Sequence, residues 1–328
     1  MEVLNLFAQN LISPSTLFFA LGIFAGFLKS DLDVPEQISH YLSIYLMMAI
    51  GFKGGVAIAE TANISNEVIF TIIAGISFSF LQPFLGYWIL KCTTKLDSPT
   101  SAAVAAHYGS ISMVTFVTAT SFLQLNEVVY AGYIVAVLAL MEAPAILSGL
   151  FIAHRVSPKT IESTEKATPK LSREIFTNGA ILLLLGSFLV GWATGTEGYK
   201  KMEGFLGDPF QGVLALFLLD MGLLVSKQFQ HMKEFRWNLI LFGLYMPIIG
   251  ALIGLGISVW IGLDKGTGML FTVLCASSSY IAVPAAMRLA LPQAKAAIYI
   301  PMSLAITFPF NILLGIPVYF TVVSKILG

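Results

Sequence analysis

Ser277, Ser278, Ser279 and Tyr280 stand in a row, four hydroxyls in an otherwise apolar stretch, with Pro284 shortly after them. A second cluster, Tyr108, Gly109, Ser110 and Ser112, interrupts another oily run beside His107. Hydroxyls and freed backbone carbonyls suit a small cation such as sodium, and the N–H groups at the start of a half-helix suit an anion. Pro284 lacks an N–H and should free the carbonyl near Tyr280, while Gly109 lets backbone leave helical torsions or approach a ligand closely. Single serines also pack between membrane helices or bond back to their own helix; it is the pairing of the two clusters that points to a substrate or ion site.

Ionisable groups inside apolar runs are costly and usually face a cavity. Asp220 interrupts "VLALFLLDMGLLV" and Glu142 interrupts "VLALMEAPAIL". Asp220, the deepest acid, reads as a cation-linked or gating residue. Glu142 reads either as that or as a structural hydrogen-bonding group near Pro144, and Asn311, near Pro309, is a lesser candidate of the same kind. Lys53, in "AIGFKGGVAI", either pairs with Asp220 or snorkels to the outer surface. Arg288 reads as a solvated charge at the cytoplasmic end of its span. Enzyme chemistry finds little support: there is no HExxH, no P-loop and no G-x-G-x-x-G on a strand. The four histidines are scattered, and a Ser110–His107–Asp220 hydrolase has no support from spacing.

The elements that position these residues are apolar helices. The 328 residues are 57% hydrophobic and 11% charged, with a mean hydropathy of +0.84. Soluble domains carry about a quarter charged residues, so the class is an all-α polytopic membrane protein. Net charge is zero, and nothing suggests nucleic acid. Cys92 and Cys275 are far apart, which argues against a disulfide framework or metal cluster, and no cofactor is expected. The N-terminus does not read as a cleaved signal peptide.

Ten spans are expected, at 13–28, 37–58, 67–90, 99–123, 128–153, 175–195, 209–226, 237–262, 267–289 and 294–323. They form a first five-span half (1–153), a polar linker (154–174) and a second half (175–328). With this count thirteen Lys and Arg residues fall on one side and five on the other of the 18 in the chain. The richer side should be cytoplasmic and both termini outside. An odd number of spans per half inverts the second half relative to the first. The letters support a repeat: "YIVAVLALMEAPAILSG" from Tyr133 lies over "YIPMSLAITFPFNILLG" from Tyr299 with seven identities in seventeen. Spans four and nine pair at an offset of 170, with "AAHYGSISMVT" over "CASSSYIAVPA". Paired interruptions in two inverted halves point to a transporter binding site. Pro301, Pro309 and Pro317 are expected to kink span ten.

These stretches together resemble the sodium-dependent bicarbonate transporter family known from cyanobacteria, in its broader bacterial branch. The matching segments are "GFKGGVAIAE", "HYGSISMVTF", "MEAPAI", "DMGLLVSKQ" and "ASSSYIAVPAAMRLALP". The resemblance implies two inverted five-helix repeats with broken helices four and nine, a core domain moving against a gate domain, a homotrimer in the bacterial inner membrane, and HCO₃⁻ and Na⁺ held at the breaks. Gly109, Ser110, Ser112, Ser277, Ser278 and Ser279 match its site motifs. In that family a PII-like regulatory trimer docks from the cytoplasm; the residues of this chain do not themselves indicate such a partner. Two departures stand out. Tyr280 occupies the place of an Asp, and Ala282, Val283, Pro284 and Ala285 replace Ser-Gly-Pro-Pro. The linker is also shorter. The alternatives are another small carboxylate or inorganic anion as cargo, or a non-transporting membrane sensor.

Overall fold

The computed structural model describes residues 12–59, 66–156, 179–229, 235–280, 283–284, 287, 291 and 293–328. The expected linker beyond Val156, and Arg288, lie outside the described residues. Every regular element among the described residues is helical: α1 Pro14–Phe27, α2 Glu36–Ala59, α3 Asn66–Thr93, α4 Ser98–Gly109, α5 Met113–Leu125, α6 Ile134–Leu140, α7 Glu142–Val156, α8 Gly179–Met202, α9 Phe210–Phe229, α10 Trp237–Ile261 and α11 Lys265–Ala276. A final α12, Ala296–Ile326, runs for 31 residues. Hydrocarbon offers no partner to backbone N–H and C=O groups, so a chain this apolar satisfies them within helices.

Seven helical stretches are long and apolar enough to cross a membrane, counting α4 with α5 and α6 with α7 as one each. The α1 and α11 helices are shorter apolar ones. The four tryptophans are all exposed: Trp88 and Trp237 near one end of the bundle, Trp192 and Trp260 near the other. Amphipathic rings at the two ends are what a bilayer's interfaces select.

The helices sort into two groups. In one, α1 lies along α9 and α2 along α8, with α2 also touching α9. In the other, α3, α4 and α7 pack together and α10 packs on α11. Small residues make the first group close. A Cβ on Gly22 would strike Leu219 O, and one on Gly222 would strike Phe19 O. Likewise Gly55 and Gly191 bring α2 and α8 backbone to backbone, at Phe188 O and Phe52 O. Helices in lipid gain no hydrophobic drive from one another, so such small-residue seams supply the dispersion contact that holds them. Gly222→Leu is therefore expected to destabilise the purified protein by about 1–3 kcal/mol, visible as earlier thermal loss of the monodisperse peak in detergent. Unchanged thermal stability would show that the α1–α9 seam tolerates a side chain.

The expected kinks in span ten take another form. The α12 helix continues, but Met302–Thr307 and Asn311–Gly315 are π-helical turns. Each lies on the N-terminal side of a proline, Pro309 and Pro317. Widening to i→i+5 bonding absorbs the donor each proline lacks and relieves its ring clash.

Candidate functional site

The site is built where two helices stop halfway. The α4 helix begins at Asp97, whose carboxylate accepts from Thr100 N at 2.8 Å. The α11 helix begins at Asp264, which accepts from Gly266 N at 2.9 Å and Thr267 N at 3.0 Å. Each helix runs for 12 residues and stops at a serine with extended backbone, Ser110 or Ser277. Ser112 then caps α5, its Oγ accepting from Thr115 N at 3.2 Å. In the other half Ser279 Oγ accepts from Val283 N at 3.4 Å. Asp97 with Asp264, Ser110 with Ser277 and Ser112 with Ser279 are each 167 residues apart. The offset of 170 expected for these spans is thus corrected to 167, set by matching roles rather than by Ala and Ile identities.

Burial alone would raise the Asp97 carboxyl's pKa. Its bonds to Thr100 and the Lys295 ammonium, 3.7 Å away, outweigh that and hold it below the usual carboxylate range. The cap at the head of α4 therefore stays charged.

The two breaks cross and bond to each other. Ser112 N donates to Ser277 Oγ at 2.9 Å, and Ser279 N donates to His107 O at 2.9 Å. Neighbouring helices take up the remaining carbonyls. Asn311 Nδ2 donates to Ala276 O at 2.9 Å, and Tyr319 OH donates to Asn311 Oδ1 at 3.0 Å. Span five bends at Met141, between α6 and α7. Ser110 Oγ donates to Glu142 O at 3.4 Å and Ser79 Oγ donates to Met141 O. Broken backbone at membrane depth is tolerable where the freed groups find such partners or line a cavity.

Beside the crossing lies a narrow cavity of about 40 Å³, room for a small ion or a few waters. Its walls are Ile111, Ser112, Met113 and Val114 from the first break, Ser279 and Tyr280 from the second, and Glu142 from α7. Facing these are Ser43, Leu46 and Met47 of α2 and Phe217 of α9. Among the described residues Glu142 is the one acid in this lining, and it is 7% exposed. The Tyr280 hydroxyl points toward Ser112 without closing a well-formed hydrogen bond, and its ring packs edge-on against Phe308 at 5.2 Å. Ser278 Oγ is buried with no partner among the described residues. At the start of α5, Met113 and Val114 bring first-turn backbone, the place where N–H groups lack an intrahelical partner.

Of the residues singled out from sequence, Ser112, Ser279, Tyr280 and Glu142 reach the cavity together. Ser110, Ser277 and Ser278 build the crossing behind it. Gly109 serves a close approach of helices: a Cβ there would sit 2.5 Å from Pro83 of α3. The Tyr108 hydroxyl instead meets Thr307 Oγ1 at 2.7 Å in the packing of α10 and α12, with its ring edge-on to Phe242. Asn311 positions the end of α11. His107 Nδ1 lies 2.6 Å from Ala103 O and its ring against Tyr299. Lys53 does not pair with Asp220; its ammonium lies 4.4 Å from the Phe210 ring centre, at the start of α9 and ten residues from Asp220. Asp220 sits outside the cavity, on the seam of α9 with α2. Sequence reading missed Ser43 and Phe217, which carry no signal beyond lying on apolar helices; only the approach of α2 and α9 to the breaks makes them walls.

A search among curated proteins finds no match. The sequence model of the Na⁺-dependent bicarbonate transporter superfamily matches residues 14–324, nearly the whole chain, with both broken helices and Glu142 inside the matched region. The chain therefore belongs to the Na⁺-dependent bicarbonate transporter superfamily, and it is a membrane transporter rather than an enzyme.

Proposed function

We propose that the chain is a secondary active transporter that takes up a small anion, bicarbonate first among the candidates, coupled to sodium. The observation that carries this reading is the cavity, walled on one side by both helix breaks and on the other by α2 and α9. A site at the boundary of two helix groups can be opened to either face if one group slides against the other, as in elevator-type alternating access. The ten-span inverted repeat has support in the packing: α1 with α9 and α8 with α2 are the same pairing with the halves exchanged.

Charge explains the coupling. An anion about 5 Å from the Glu142 carboxylate would be repelled by roughly 3 kcal/mol at an effective dielectric of about 20. A sodium ion between them turns that repulsion into two attractions. The carboxylate and the hydroxyls of Ser112 and Tyr280 are hard oxygen donors that suit such an ion, and the start of α5 offers N–H groups to the anion.

The test is uptake of labelled bicarbonate into proteoliposomes under an inward sodium gradient. Accumulation that collapses with the gradient supports the reading. Ser112→Ala should lower the rate about fivefold, since the hydroxyl is also the cap of α5, worth about 1 kcal/mol. Uptake indifferent to sodium and to Ser112→Ala would remove the site assignment. A second reading keeps the fold and changes the cargo to another small carboxylate or inorganic anion. Tyr280 favours weighing it, because a neutral phenol stands in the lining where the resembling family keeps an acid. Thermal-shift measurements with a panel of small anions separate the two.

A further inference from the structure

Asp220 is 4% exposed, among the most apolar residues of α9, and its Oδ2 has no hydrogen-bond partner among the described residues. Its carboxylate faces the Ser39 hydroxyl of α2. The α2 and α9 helices run antiparallel, since Lys53 reaches Phe210 at one end and Asp33 pairs with Lys227 at 3.0 Å at the other. Ser39 is one turn from Ser43, and Asp220 one turn from Phe217, both of which line the cavity. A column of polar groups therefore runs down this seam: Ser43 at the cavity, then Ser39 with Asp220, then the exposed Asp33–Lys227 pair.

Among the described residues the one cation whose charge reaches Asp220 is Lys227, and Asp33, which pairs with Lys227, opposes it. Lys227 is engaged by Asp33 and lies seven residues further along α9, about 10 Å at 1.5 Å per residue. Lys53 is at Phe210, about 15 Å away in the opposite direction. A carboxylate left this dry either takes up a proton or is joined by an ion.

We infer that Asp220 and Ser39 form a second sodium site, separate from the cavity, on the path between it and the surface at the α1–α2 turn. The carboxylate supplies the charge and the Ser39 hydroxyl a second oxygen, with water from the open end of the seam completing the shell. The site goes beyond the transport reading above, and it does not depend on which anion is carried.

The experiment is equilibrium binding of ²²Na⁺ to the purified full-length protein in detergent, in choline-balanced buffer with no added bicarbonate. Wild type should bind two ions per chain, Asp220→Asn one, Glu142→Gln one and the double variant none. Wild-type stoichiometry retained in Asp220→Asn overturns the second site. One ion in wild type that only Glu142→Gln removes overturns it too. One ion that only Asp220→Asn removes keeps this site and removes the Glu142 one, so the two assignments fail separately. Should Asp220→Asn not fold, Ser39→Ala must raise the dissociation constant of one of the two ions about tenfold; binding curves unchanged from wild type overturn the proposal.

Discussion

Glu142→Gln is expected to uncouple the transporter. Glutamine keeps the shape and the neighbouring Ser110 bond to the backbone carbonyl of residue 142, but removes the one carboxyl group among the described residues of the cavity lining. In the proposed mechanism the repulsion that makes anion binding conditional on sodium, roughly 3 kcal/mol, disappears with it. Sodium-gradient-driven accumulation in proteoliposomes should fall about a hundredfold, since each 1.4 kcal/mol is tenfold. Anion binding measured by thermal shift should persist and lose its dependence on sodium. That combination separates a coupling role from a merely structural one, in which binding and uptake would decline together. Wild-type sodium dependence in Glu142→Gln would place the coupling charge elsewhere.

Gly109→Ala should have the second large effect, through geometry rather than charge. The added Cβ would lie 2.5 Å from Cδ and Cγ of Pro83 and 2.9 Å from Ser79 O. A proline ring in the middle of α3 cannot rotate away, so α4 must move. Overpacking of this kind costs about 1–3 kcal/mol. The displaced end of α4 also carries His107 O and Ser110, which hold the crossing to Ser279 and to the bend at Met141. Transport should therefore drop more than stability does: at least tenfold in initial uptake rate, against a modest fall in the thermal midpoint of the detergent-solubilised protein. Equal activity in the variant would show that the α3–α4 contact does not set the position of the break.

Much of the site is legible in the sequence. The runs of hydroxyls at 108–112 and 277–280, each inside an apolar span, mark the two breaks, because hydrocarbon penalises polar groups that serve no purpose. Glu142 stands out for the same reason. What spacing does not show is the direction in which each side chain points. Tyr108 and Ser110 are two residues apart, yet one packs toward α10 and α12 while the other turns to α7. Asn311 has the character of a ligand and is instead the partner of a freed carbonyl, because the end of α11 lies beside it.

The register of the repeat shows the same division. Residue identity favours an offset of 170 for the broken spans, since Ala and Ile recur often enough to match by chance. The half-helices match at 167, where the Asp caps, the stopping serines and the restarting serines all fall into line. Those roles are hydrogen bonds, and letters alone do not reveal which bonds form.

Composition and local pattern are enough to establish that this chain lives in a membrane, that its backbone is helical, which two spans are interrupted, and the family to which it belongs. They suffice because the cost of apolar surface in water, and of bare backbone in lipid, falls on each residue separately. Three further features come from the packing of the helices. The two breaks bond to each other, α2 and α9 close the cavity, and Lys53 sits at the Phe210 end of their seam, away from Asp220. Each of these depends on contacts between helices distant in sequence. In lipid those contacts are selected by close packing at Gly22, Gly109 and Gly222 and by single hydrogen bonds, neither of which leaves a periodic trace in the chain.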